Sequence, residues 1–256
     1  MTLTAAMYLI VCPLALLAGF LDSIAGGGGM ITLPAYYLAG LPPALAAGTN
    51  KLSASMGTVV ATINYARAGK ISYRIGIPAV IGALICGTLG ALVLTSLPQN
   101  VVRILVLCCI PIAAVFTLRK PKQRQGNQLV GKALLWLSLL LGCVMGFYDG
   151  LIGPGTGTFL ILLLLQVFQL EAVEASGTAK IINLAGNIAA LCSMLLTGNV
   201  LVFLGLPAGM CTMVGAYIGS RLTIRKGSRL IRWMMLVVLG LLLIKILIDI
   251  VFPSAV

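Results

Sequence analysis

Long apolar runs separated by short polar or basic stretches set the pattern of this chain. The runs fall at 5–24, 30–40, 44–66, 75–97, 100–118, 132–150, 156–169, 175–197, 200–222 and 229–251. Most reach the ~20 residues that a helix needs to cross ~30 Å of hydrocarbon. In lipid every backbone polar group must find its partner inside the protein, so helices are expected throughout. A β-barrel would show short alternating segments instead. Two runs, 30–40 and 156–169, are too short to cross easily at ~1.5 Å per residue. Each follows a glycine-rich interruption, Gly26-Gly27-Gly28-Gly29 in one case and Gly153-Pro154-Gly155-Thr156-Gly157 in the other. The pattern therefore predicts an all-α polytopic membrane protein with Gly-broken or re-entrant helices.

The same pattern occurs twice. Gly19, Phe20, Asp22, Gly26 and Gly28 recur 127 positions later as Gly146, Phe147, Asp149, Gly153 and Gly155. A small insertion shifts the offset to 129, at which Gly48, Thr49, Lys51 and Gly57 recur as Gly177, Thr178, Lys180 and Gly186. Gly69, Gly76, Pro78, Gly90 and Arg103 then recur as Gly198, Gly205, Pro207, Gly219 and Arg232. Near-constant offset along a whole half indicates duplication. We divide the chain into a first membrane repeat at 1–118, a basic linker at 119–131 and a second membrane repeat at 132–256.

Charge orients the halves. Basic residues gather at Arg67, Lys70 and Arg74, at Arg119, Lys120, Lys122, Arg124 and Lys132, and at Arg221, Arg225, Lys226, Arg229 and Arg232. The positive-inside rule puts these regions in the cytoplasm. Their equivalents in the other half are uncharged: 67–74 corresponds to 198–201, and 225–229 corresponds to 97–100. Equivalent loops are thus expected on opposite faces. That is an inverted-topology repeat in the inner membrane, with both termini outside. The first Lys or Arg is Lys51, so the first apolar run lacks the basic start of a cleaved signal and is expected to be retained.

Composition narrows the chemistry. Of 256 residues, 60% are hydrophobic and 9% charged, which excludes an ordinary soluble enzyme. The net charge of +12 sits between apolar runs, as in membrane loops, and no nucleic-acid partner is expected. There is no histidine, which removes His catalysis and His metal sites. The five acidic residues, Asp22, Asp149, Glu171, Glu174 and Asp249, leave little for a metal cage, and no cofactor or metal is expected. The seven cysteines lie in apolar runs without a C-x-x-C pair and read as packing residues. No phosphate-binding loop is present, so ATP is not expected to drive the chain.

Three constellations remain. The glycine breaks free N–H groups at the starts of the short helices, where the helix dipole favours an anion. Gly26, Gly27, Gly28, Gly29, Gly153, Gly155 and Thr156 are the candidate anion-facing residues there. Lys51 and Lys180 fall well inside apolar runs, at a cost of ~2.5–3.5 kcal/mol each on insertion scales. Such residues face the bundle interior and mark a pathway. With Thr49, Asn50 and Thr178 they could form a cationic cage for a small oxyanion; snorkelling to the interface is the alternative. Asp22 and Asp149 each end an apolar run before a break. They could couple protons, serve as counter-ions to the lysines, or cap the short helices. Ala83-x-x-x-Gly87 and Gly215-x-x-x-Gly219 suggest close helix packing, within the chain or in a homodimer.

The motifs also resemble a known family. The run from Gly19 to Gly29 (GFLDSIAGGGG) with Ala47-Gly-Thr-Asn-Lys-Leu52, and the run from Gly146 to Gly155 (GFYDGLIGPG) with Ala179-Lys-Ile-Ile-Asn183, resemble the TauE/SafE sulfite-exporter family, particularly its branch of uncharacterised probable membrane transporters. The resemblance spans nearly the whole chain. It implies an inner-membrane carrier for sulfite, sulfonates or related sulfur anions. The halves differ locally, with four glycines and Asn50-Lys51 in the first against Gly-Pro-Gly-Thr-Gly and Ala179-Lys180 in the second, so a lopsided site is expected.

The sequence thus points to a secondary transporter, not an enzyme, for a small sulfur anion, driven by protons or by the substrate's own gradient. An anion channel built from re-entrant hairpins is an alternative. An intramembrane aspartyl protease using Asp22 and Asp149 is a weaker one, because Tyr148-Asp149 supplies half of that signature and the other half is missing.

Overall fold

The structure, a computed structural model, describes residues 4–96, 130–151 and 153–251. The expected run at 100–118, with Arg103, Cys108 and Cys109, and nearly all of the basic linker lie outside the described residues. Among the described residues there are nine helices and no strand. They are α1 (Ala5–Ala25), α2 (Gly29–Leu38), α3 (Pro43–Arg67), α4 (Tyr73–Ser96), α5 (Gly131–Leu151), α6 (Thr156–Gln166), α7 (Ala172–Leu196), α8 (Val202–Lys226) and α9 (Ser228–Val251).

Five of these are long and apolar enough to span a membrane: α1, most of α4, α5, α7 and α8. The protein is an integral membrane protein. α3 is as long as α7, but its apolar character is diluted by Thr49, Asn50, Lys51, Ser53, Ser55 and Thr58, all of them buried. Its polar residues turn inward, as bundle-interior positions in a membrane do. α2 and α6 have 10 and 11 residues. At ~1.5 Å per residue each covers about half of the hydrocarbon thickness.

Small residues set the closest approaches. α4 packs on α5 and α7, while α8 packs on α1 and α3. A Cβ on Gly146 would come within 2.5 Å of Ala83 Cα, and one on Gly150 would strike the Gly87 carbonyl. A Cβ on Gly215 would strike the Leu16 carbonyl, and one on Gly219 the Phe20 carbonyl. Both small-x-x-x-small motifs are therefore used inside one chain, where they let backbones approach without a hydrophobic drive between helices.

The contacts of α3 and α7 mirror each other at the repeat offset. Gly48, near the start of α3, lies against the Asn199 carbonyl in the loop after α7, and Thr49 Oγ1 accepts the Leu201 N–H at 2.9 Å. Gly177, near the start of α7, lies against the Lys70 carbonyl in the loop after α3, and Thr178 Oγ1 accepts the Ser72 N–H at 2.9 Å. Each helix thus begins beside the loop that ends the other, and the two run antiparallel. Asn64 donates to Ser220 Oγ at 2.8 Å, which brings the end of α3 to the end of α8. Arg67, Lys70 and Arg74 therefore share one end of the bundle with Arg221 and Arg225, and the uncharged loop 198–201 is at the other.

Candidate functional site

The first break is held by the end of α1. Gly26 and Gly27 have φ of 76° and 89°, the left-handed region that glycine reaches without Cβ strain. The last carbonyls of a helix need outside donors. Here Tyr65 of α3 donates to the Ser23 carbonyl at 2.8 Å, Ser176 of α7 to that of Ile24 at 3.0 Å, and Thr158 of α6 to that of Ala25 at 2.9 Å. The second break has the same form, with φ of 82° at Gly153 and 85° at Gly155. Tyr148 donates to the Pro154 carbonyl at 2.8 Å and braces it.

The two breaks touch. A Cβ on Gly26 would collide with the backbone of Gly157 and Thr158, and one on Gly157 would lie 2.8 Å from Gly26 Cα. The end of α1 therefore meets the start of α6, and the start of α2 lies beside the second break, where a Cβ on Gly29 would sit 3.6 Å from Pro154 Cα, so the positive ends of the α2 and α6 dipoles are neighbours.

Beside this junction is a small cavity that opens to solvent. Its wall includes Gly27, Gly28, Gly29, Asn50, Lys51, Gly153, Gly155, Thr156, Asp22 and Asp149 from the sequence-derived candidates. Gly26 lies just outside the wall, spent on the contact with α6. Thr49 and Thr178 are also outside it, because their hydroxyls serve the loop N–H groups of Leu201 and Ser72. Lys180 is fully buried behind Asp22.

The charged residues form two pairs, each joining one half to the other. Lys51 Nζ is 2.9 Å from Asp149 Oδ2, and Lys180 Nζ is 2.8 Å from Asp22 Oδ2. Lys51 and Lys180 are each the ninth residue of their helix. The pairs balance charge, so the four side chains make two neutral units rather than a cationic cage. Burying an unpaired charge in a dry interior costs far more than burying a matched pair.

The two pairs differ in detail. Asp22 also accepts the Gly28 N–H on Oδ1 at 3.1 Å, so it both caps the start of α2 and neutralises Lys180. Asp149 has no such second tie among the described residues. The Lys51 ammonium directs its hydrogen bond to Asn187 Oδ1 at 3.1 Å, and its contact with Asp149 is ionic rather than a directed hydrogen bond. A Cβ on Gly186 would come within 2.9 Å of Asp149 Oδ2, so a glycine makes room for the carboxylate.

Several wall residues were not among the candidates: Thr32, Thr58, Asn183, Asn187 and Thr212. Asn183 and Asn187 had a readable signal. They follow Lys180 at i+3 and i+7, one face of a helix.

Among known proteins, the profile of the family described as Sulfite exporter TauE/SafE matches residues 11–246. The chain belongs to this family. It is 38% identical over 240 residues to the probable membrane transporter protein ORF9 of Sinorhizobium sp, covering 93% of this chain and 92% of that protein. It is 35% identical over 239 residues to the probable membrane transporter protein YfcA of Escherichia coli K12, covering 92% and 87%. A probable membrane transporter protein of Haemophilus influenzae is 32% identical over 232 residues, covering 91% of each chain. No solved structure matches significantly. The protein is thus a membrane transporter of the TauE/SafE family.

Proposed function

We propose that this transporter is a proton-coupled secondary carrier of sulfite, a sulfonate or a related small sulfur anion across the bacterial inner membrane. The observation that carries the reading is the cavity lined by two neighbouring helix starts and by Asp22, Asp149 and Lys51 of the two Lys–Asp pairs. Helix N-termini favour anions, and glycines let a ligand approach the backbone. Interrupted helices in corresponding positions of two repeats mark the site of many secondary carriers.

In this reading the halves at 1–118 and 132–256 are inverted repeats. The reciprocal contacts of Thr49 with Leu201 and of Thr178 with Ser72 support it, as does the gathering of basic residues at one end. Both termini then face outward. α2 and α6 are the inner arms of re-entrant or broken helices whose starts are neighbours beside the site. Asp149 is the proton-coupling group. It lines the cavity, and taking a proton would free Lys51 from its ionic partner. Asp22 is a positioning group tied to Lys180 and to the α2 start. Each carboxylate has its own lysine, an arrangement that differs from the shared-proton dyad of an aspartyl protease.

The test is sulfite uptake into proteoliposomes containing the purified chain. Saturable uptake above that of empty liposomes is expected. Flux that stays linear with concentration would favour a channel.

A further inference from the structure

The polar groups in the cavity wall separate into charges that are already matched and donors that are not. Asn50 and Asn183 are both 6% exposed. Asn50 Oδ1 accepts the Thr32 hydroxyl, and Asn183 Oδ1 accepts Asn187 Nδ2 at 3.4 Å. The Nδ2 amide of each makes no hydrogen bond with a described residue. Asn50 Nδ2 lies 3.7 Å from where a Cβ on Gly29 would sit, and Asn183 Nδ2 lies at the same distance from a Cβ position on Gly157. Gly29 is the first residue of α2 and Gly157 the second of α6. Each short-helix start is therefore faced by one unpaired amide from a long helix, α3 on one side and α7 on the other. Neither Nδ2 is sealed from the cavity, where both residues line the wall, so a ligand there can supply the acceptor, and a donor left without one once a ligand excludes water is costly.

The charges add a second constraint. Asp22, Asp149 and Lys51 line the cavity, while Lys180 stands behind Asp22. A ligand in the cavity thus faces two carboxylates and one ammonium directly. One negative charge can be held by the neutral donors and the helix starts. A second would find no unmatched cation and would face the two carboxylates.

Resting on the anion-carrier reading above, we infer that the cavity selects a singly charged oxyanion, a sulfonate or hydrogen sulfite, over a doubly charged one such as sulfate, with the Asn50 and Asn183 amides as its specificity-determining donors. Rejection of the dianion comes from the carboxylates, and such repulsion is a normal source of specificity.

The experiment is exchange of labelled methanesulfonate into proteoliposomes loaded with unlabelled methanesulfonate, using the full chain. External unlabelled methanesulfonate should suppress the label at about one-tenth the concentration of sulfate, or less. Asn50→Ala and Asn183→Ala should each raise the half-saturating concentration about tenfold, the usual effect of losing one hydrogen bond to a charged group. Equal suppression by sulfate, or exchange of sulfate alone, would overturn the inference and leave the anion-carrier reading standing. Exchange of none of methanesulfonate, sulfate and sulfite would overturn that reading and the inference with it. Should an alanine variant fail to fold, the wild-type competition decides by itself.

Discussion

Lys180 Nζ lies 2.8 Å from Asp22 Oδ2, and this lysine of the second half has no exposed surface. The pair ties α7 to the end of α1, just where the chain breaks before α2. Breaking a buried pair on one side strands a charge and costs about 3–5 kcal/mol, whereas removing both sides costs much less. Lys180→Met should therefore lower the thermal unfolding midpoint in detergent sharply, and Asp22→Asn on that background should restore much of it. An unchanged midpoint in Lys180→Met would show that the pair holds nothing together.

Lys51 and Asp149 are the pair exposed to the cavity. Lys51→Ala should reduce uptake to the level of empty liposomes while the protein still reaches the membrane. Asp149→Asn keeps the shape and removes the titratable group. It should retain facilitated anion flux but lose the response to a pH gradient. A variant that still responded to the gradient would exclude Asp149 as the coupling group.

Two neighbouring glycines should behave differently. A Cβ on Gly26 collides with the backbone of α6, and φ there is 76°. Gly26→Ala should thus give poorly folded protein, seen as loss of a monodisperse peak in size-exclusion chromatography. A Cβ on Gly29 meets nothing closer than 3.6 Å. Gly29→Ala should fold normally but lower uptake several-fold, because the methyl group projects toward Asn50 at the cavity wall. Equal folding and equal uptake in the two variants would contradict the packing described.

The sequence carried much of this. Hydropathy alone marked the ends of the described helices to within a few residues, because in lipid a helix must be apolar over its exposed length. The glycine breaks were legible because Gly26 and Gly153 recur at a fixed offset. Lys51 and Lys180 stood out because a charge in an apolar run needs a reason. What could not be read was the pairing. Lys51 could have met Asp22 in its own half, and only the packing of α3 against α7 sends it to Asp149. The roles of Thr49 and Thr178 were hidden for the same reason. Their hydroxyls meet loops about 150 and 106 residues away, a tertiary fact with no local signature. Asn183 and Asn187 were harder to read because an uncharged amide in a membrane helix demands less explanation than a lysine, and only their spacing from Lys180 sets them apart.

Topology gives an independent check. If the halves are inverted, position 70 and position 199 lie on opposite faces although they are equivalent. Lys70→Cys and Asn199→Cys, each in a cysteine-free background, should react oppositely with a membrane-impermeant maleimide applied to whole cells. Asn199→Cys should label and Lys70→Cys should not until the membrane is opened. Labelling of both from outside would exclude the inverted arrangement.

In a proton-coupled carrier, anion flux through the interior site follows the proton gradient. The most direct measurement is sulfite uptake by wild-type proteoliposomes with and without an imposed pH gradient, at matched membrane potential. Saturable uptake that the gradient raises several-fold is expected. Saturable uptake indifferent to the gradient would contradict proton coupling, and absence of sulfite uptake under both conditions would contradict sulfite as the substrate.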